Sequence, residues 1–205
     1  MKLALIGGGG FAKEAADLAK LNNFEIGGYF SDKNLTDRWN YLGCLSDIDA
    51  QKNDFLFALC IGAVNSEGIK KRRFLIDKFQ NLDLKFVNLI SPNAYIAEGV
   101  KLGNGIVIAH GVILSVDSFV DDFCLLNTNA VIGHDAYLGP NSILAPLSFV
   151  AGNVRIEKDV LVGPNACVLE GLNVGFGSII GTGSSVFRDV KSNGIVIPVL
   201  TKTLY

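Results

Sequence analysis

A chain of 205 residues, 49% hydrophobic and 19% charged, has room for one or two domains and can bury a core unaided. Its formal net charge of −2 gives no basis for expecting nucleic acid or a charged membrane surface as partner, and no 18-residue run is apolar enough to read as a membrane span. The apolar start is too short for a signal peptide and the four cysteines lack metal-type spacing, so the expectation is a reduced, cytoplasmic chain without disulfides or metal.

Residues 2–6, KLALI, read as a buried strand, followed by Gly7, Gly8, Gly9 and Gly10 and an amphipathic helix over 11–21. A second strand, EIGGYF (25–30), ends near Ser31 and Asp32. This strand–loop–helix–strand order carries Gly7-x-Gly9-x-x-Ala12, a variant of the dinucleotide fingerprint, with an acid, Asp32, 20 residues past Ala12. Glycines there let a phosphate approach backbone N–H groups at a helix N-terminus. The competing explanation is a tight turn with no ligand. Residues 31–50 read as a loop, 55–62 as a third strand and 66–79 as a second helix, whose basic run Lys70-Lys71-Arg72-Arg73 reads as a solvated face. Residues 1–88 thus form a small Rossmann-like α/β half-domain, too short for a complete dinucleotide fold.

From Ile90 the chain repeats in sixes. All 17 positions from Ile90 to Val186 are Ile, Leu or Val, and three residues after each comes Gly, Asn or Asp, broken only by Phe123 and Leu147. Gly, Asn and Asp tolerate positive φ. A small or β-branched residue, such as Ala130, Ala136 or Ser142, follows one place later; Cys124 shares that inward column. A period of six fits neither a helix nor a plain strand, but it fits a solenoid of short strands with three strands and 18 residues per coil. Pro92, Pro140, Pro146 and Pro164 fall two after an aliphatic, which assigns that column to the corners. The repeat resembles the hexapeptide left-handed parallel β-helix, expected over 89–205, with the tail 190–205 leaving the frame and packing back over the last coil.

His110 and His134, the only histidines, share the proline column and should point outward, free to act in a groove. His110 reads as an ordinary surface histidine. Stacking at 18 residues sets Gly152 directly above His134, about one strand spacing of 4.8 Å away, where its N–H is open to a thioester carbonyl and the oxyanion formed from it. Two histidines 24 residues apart cannot supply the three ligands of a zinc hydratase built on such coils.

A Gly-rich α/β domain running straight into hexapeptide coils, with the stretches LLNTNAVIGHDAYLG (125–139) and AGNVRIEKDVLVGPNACVL (151–169), resembles the NeuD/PglD-type acyltransferases of bacterial surface-sugar synthesis over nearly the whole chain. The resemblance implies acetyl-CoA as co-substrate and a homotrimer with the cofactor lying between neighbouring coil domains. It implies an N-acetyltransferase acting on a nucleotide-linked amino sugar of the 4-amino-deoxy type, bound through Gly7–Gly10 and Asp32. A sialic acid O-acetyltransferase is the alternative, and a non-catalytic nucleotide-sugar-binding or scaffold protein a third. His134 is then the catalytic base and Asp135 its support, although Asp135 also sits in the turn column, where its backbone alone would explain it. Asn127 would lie near the sugar, Gly152 near the thioester, and Gly181 and Thr182 along the CoA path. Asp135 stands where the family often has Glu, Ile143 and Phe11 where it often has histidines, and Val196-Ile197-Pro198-Val199 where Gly-x-Pro-Ala is usual.

Overall fold

In the computed structural model, which describes residues 1–198, the alternation of Leu3 and Leu5 with Ala4 and Ile6 sorts the first strand's side chains into two separate cores. Four parallel strands, β1 (Lys2–Ile6), β2 (Ile26–Phe30), β3 (Tyr41–Gly43) and β4 (Phe55–Leu59), stand in the order β3-β2-β1-β4. The helices are α1 (Gly10–Leu21), α2 (Ile48–Gln51) and α3 (Ser66–Gln80). Ala12, Ala15, Ala16, Leu18 and Ala19 of α1 share the core of Leu3 and Leu5, whereas Leu75, Ile76 and Phe79 of α3 share that of Ala4 and Ile6 with Phe30 and Phe57. β3 and α2 lie in the stretch read as a loop. Three and four residues long, they are too short to show a period. No described helix is long and apolar enough to cross a membrane.

From Leu89 onward two-residue strands recur every six residues and stack into three parallel sheets of seven, six and five strands. Leu125–Leu126 pairs with Ile143–Leu144, the expected offset of 18. From Ile108 to Val186 the aliphatic of every hexapeptide is at most 3% exposed. From Gly99 to Gly183 every member of the turn column has φ between 55° and 77°, Phe123 and Leu147 included. The frame breaks where expected: Ile195–Val196 pairs with Ile179–Ile180 at an offset of 16 and adds one more strand to the seven-stranded sheet. The rest of the expected tail packing, from Val199 on, lies outside the described residues.

Each short strand pairs one inward side chain with one outward, so the three faces of the prism differ in their outward residues. The first face shows Leu89, Val107, Leu125, Ile143 and Leu161, all buried in one cluster with the alanines of α1. The N-terminal domain therefore covers this face, and each such side chain contributes roughly 1.5–3 kcal/mol by leaving water. The second face shows Tyr95, Ile113, Val131, Phe149 and Cys167, the third Lys101, Phe119, Tyr137, Arg155 and Asn173.

A polar clamp completes the domain contact and corrects the reading of the basic run. Arg72 is wholly buried, not solvated. Its Nε donates to the Ile61 carbonyl at 2.7 Å, and its Nη1 donates to the Phe123 carbonyl at 2.7 Å and to Asn141 Oδ1. Asn141 Nδ2 donates to Asp159 Oδ1 at 2.6 Å, and Arg73 Nε reaches the same oxygen at 2.9 Å. Burial pulls the Arg72 guanidinium down to about 10, so it stays charged at neutral pH. Phe123, Asn141 and Asp159 stand 18 apart, at one corner of three successive coils. Phe123 departs from the turn-former column because its ring leaves the solenoid and packs edge-on against Phe86, with centroids 4.8 Å apart, in the core of the other domain.

Candidate active site

At the carboxyl ends of β1 and β4, where parallel sheets bind ligands, a cleft of about 420 Å³ is lined by Gly7, Gly8, Gly9, Gly10, Asp32 and Lys71, among others. The four glycines are there for different reasons. Gly7 has φ +112°, and a Cβ on it would lie 2.8 Å from the Cys60 carbonyl oxygen. A Cβ on Gly8 would lie 2.5 Å from the Tyr29 ring. A Cβ on Gly9 or Gly10 would meet nothing within 4 Å, and neither has positive φ. Gly9 is the N-cap of α1, where glycine is well tolerated, and Gly10 opens the helix, so neither strain nor packing demands glycine at these two, and the space over them is open. α1 also lacks a side-chain cap and any acid in its first turn, leaving its N–H groups and positive dipole end open to the cleft. The Tyr29 hydroxyl accepts from the N–H groups of Leu35 and Thr36 at 2.8 and 3.1 Å, holding the segment after β2 beside the cleft. Cys60 lines the cleft as a buried thiol, pushed up to about 12 and so inert.

The corner between the second and third faces carries His134, Asp135 and Gly152. Asp135 has φ 56°, and its Oδ2 lies 2.8 Å from His134 Nδ1. Backbone conformation and side-chain contact thus operate at one residue. With Nδ1–H donated to the carboxylate, Nε2 keeps its lone pair for an incoming proton. The ring lies against Gly152: a Cβ there would be 2.5 Å from Nε2 and 2.6 Å from Cε1, so any side chain at 152 would displace the imidazole from this position. The N–H of Gly152 donates to no carbonyl among the described residues. That corner position is the one proline occupies in other coils, because the fold has no use for its donor.

Asn127 lies at the corner between the first and second faces. It lines a cleft of about 360 Å³ with Phe11 and Glu14 of α1. An adjoining cleft of about 380 Å³ holds Glu14, Arg38, His110 and Thr128, and Phe11 borders all three clefts. Phe11 was marked in the sequence only as standing where a histidine is frequent, and Glu14 and Arg38 were not singled out. The first two follow the glycine loop at helical spacing, which was the available signal. His110 is partly exposed, as a surface histidine would be; its Nδ1 lies 2.7 Å from Ser91 Oγ and its Nε2 3.8 Å from Asp17 Oδ2 on α1. Gly181 and Thr182 share the Asn127 corner three coils further on, roughly 14 Å away. A Cβ on Gly181 would lie 2.8 Å from the Val196 carbonyl oxygen, which accounts for that glycine by packing. Ile143 is buried on the first face beneath the N-terminal domain, so a side chain there faces no groove. Among the described residues no group of three or more His, Cys, Asp or Glu could hold a metal.

One chain therefore brings Gly7–Gly10 and Asp32 together and keeps Asn127 beside α1. His134, Asp135 and Gly152 stand a whole face of the prism away.

Residues 2–73 match the family model of the PglD N-terminal domain, and residues 92–115 and 153–188 match that of the hexapeptide repeat of succinyl-transferase. No curated protein sequence matches. Among solved structures, PerB from Caulobacter crescentus, in complex with CoA and GDP-perosamine, is 26% identical over 95% of this chain and 93% of its own, with a TM-score of 0.88. The acetyltransferase domain of PglB from Neisseria gonorrhoeae, in complex with acetyl coenzyme A, is 25% identical over 95% and 94%, at 0.85. WeeI from Acinetobacter baumannii, 21% identical over 95% of each chain at 0.84, shares the fold. The solenoid is of the left-handed β-helix type.

Proposed function

We propose that this chain, a NeuD/PglD-type acyltransferase through both of its domains, transfers the acetyl group of acetyl-CoA to the amino group of a nucleotide-linked amino sugar. The observation that carries the reading is the His134–Asp135 pair lying against Gly152, whose N–H has no partner among the described residues. The CoA and GDP-perosamine complex of PerB supports the substrate class. The nucleotide occupies the cleft of Gly7–Gly10 and Asp32, and the sugar extends past Phe11 toward Asn127.

The neutral amine attacks the thioester carbonyl, forming the C–N bond. The Gly152 N–H donates to the oxyanion. Nε2 of His134 takes the proton from the ammonium of the tetrahedral intermediate, Asp135 stabilises the imidazolium, and the C–S bond breaks with the proton delivered to the departing CoA sulfur. A positioned base of this kind is worth roughly 10²–10⁴-fold in rate.

The working assembly in this reading is a homotrimer. Tyr95, Ile113 and Phe149 leave the second face apolar and exposed, and it is bordered on one side by the Asn127 corner and on the other by the His134 corner. Packing such faces around a threefold axis covers them and brings the His134 corner of one copy beside the sugar-binding corner of the next. CoA would lie in that groove, past Gly181 and Thr182.

Thiol release from acetyl-CoA, measured against GDP-perosamine and a panel of UDP-linked 4-amino sugars, tests the reading. Release with one or more of these sugars is expected. Release with none of them, but with sialic acid, would replace N- by O-acetylation.

A further inference from the structure

The basic run of α3 is divided among three tasks. Arg72 and Arg73 turn to the coil corner, as described, and Lys70 borders a groove of about 270 Å³ between α3 and the last coils. Lys71, one turn before Leu75, faces the other way and lines the glycine cleft with it. It is exposed and makes no ion pair among the described residues. The cleft's only other charged lining residue is Asp32.

Resting on the nucleotide reading above, we propose that Lys71 is the cation that binds the diphosphate of the nucleotide sugar, opposite the bare Gly9–Gly10 start of α1. A nucleoside diphosphate linked to a sugar carries two negative charges. The end of α1 offers the equivalent of about half a positive charge, and Asp32 in the same cleft repels the group. Without Lys71 the lining would carry a net negative charge, against the ligand. With it, a mobile ammonium closes the side of the diphosphate that the backbone N–H groups leave open. The placement has a structural cause. The clamp of Arg72 and Arg73 on Phe123, Asn141 and Asp159 fixes the rotation of α3 about its axis, and with it the direction in which position 71 points.

Calorimetric titration of the full chain with GDP and UDP, and with guanosine and uridine as phosphate-free controls, tests this on the wild type, Lys71→Met and Lys71→Arg. Lys71→Met should weaken binding of the preferred diphosphate roughly 10- to 100-fold and reduce its salt dependence. Lys71→Arg should stay close to the wild type, and any nucleoside binding should be equal in all three. The KM for acetyl-CoA should not change. A Lys71→Met protein that binds the diphosphate as the wild type does overturns the role of Lys71 alone. So does diphosphate binding abolished by EDTA and restored by Mg²⁺ equally in wild type and Lys71→Met. A wild type that binds neither diphosphate overturns both this inference and the nucleotide reading it rests on.

Discussion

His134, Asp135 and Gly152 form the smallest unit whose parts can be tested separately. His134→Ala should lower kcat by roughly 10²–10⁴-fold and leave acetyl-CoA binding and folding intact, because the ring projects from a corner and the aliphatic column lies behind it. Asp135→Asn keeps a residue at home at φ 56° and removes the charge, so any loss of kcat measures the electrostatic support of the imidazolium. Gly152→Ala adds one carbon where the imidazole already stands and should displace the ring and lower kcat at least tenfold, with unchanged thermal stability. This much was legible in the sequence, since a strict period of 18 sets residue 152 over residue 134. The division of labour among the glycines was not. Gly7 and Gly8 are held by Cys60 and Tyr29, contacts that exist only after folding, whereas Gly9 and Gly10 face open space.

The helix α3 joins chemistry to architecture, and its sequence hid this. Four consecutive cations suggest solvent, yet a helix turns 100° per residue, so neighbours in sequence face different surroundings. Arg72 found a partner surface that no local pattern announces, made of one corner in three coils. Truncation by Arg72→Ala should cost roughly 3 kcal/mol of stability by stripping hydrogen bonds from Asn141 and the Phe123 carbonyl, and it should raise the sugar KM more than the acetyl-CoA KM. Differential scanning calorimetry and steady-state kinetics check the two parts. The outward residues did carry a signal. Taking every third hexapeptide gives Leu89, Val107, Leu125, Ile143 and Leu161, and a wholly aliphatic outer column marks a covered face. A second effect belongs to the cores. Burial raises the thiols of Cys60 and Cys124 from 9.0 to about 12. The unfolded chain therefore loses these protons first as pH rises, and their contribution to stability, complete below about 9, should be lost between pH 9 and 12. The Arg72 shift acts in the opposite sense over the upper part of that window. A Cys60→Ala, Cys124→Ala double variant should therefore show a flatter alkaline limb in denaturation curves taken across that range.

At the scale of the whole molecule, the two halves of the proposed site border an exposed apolar face, and the proposed trimer is what would close it. Phe149→Glu puts a charge at the centre of this face. It should give monomers by light scattering at micromolar concentration and abolish transfer, while nucleotide binding survives. If the site is shared, two inactive chains can complement each other. Gly10→Glu fills the bare start of α1 with a carboxylate and blocks the nucleotide, and His134→Ala removes the base. Hybrids of these two should regain part of the wild-type activity, which neither shows alone. The coil number and the chain order of the two domains were readable in the repeats, but the docking of one on the other was not, since it rests on Phe123 and Arg72 crossing between domains that look independent in sequence.

Transfer of the acetyl group itself is the most direct test. Purified wild-type chain and His134→Ala would be incubated with isotopically labelled acetyl-CoA and GDP-perosamine or a UDP-linked 4-amino sugar, and the sugar nucleotide followed by mass spectrometry. The proposed mechanism requires one labelled acetyl group on the sugar nitrogen, formed at least a hundredfold faster by the wild type than by His134→Ala. Equal rates of N-acetylation by the two proteins, or no acetylated sugar nucleotide from the wild type, would contradict it.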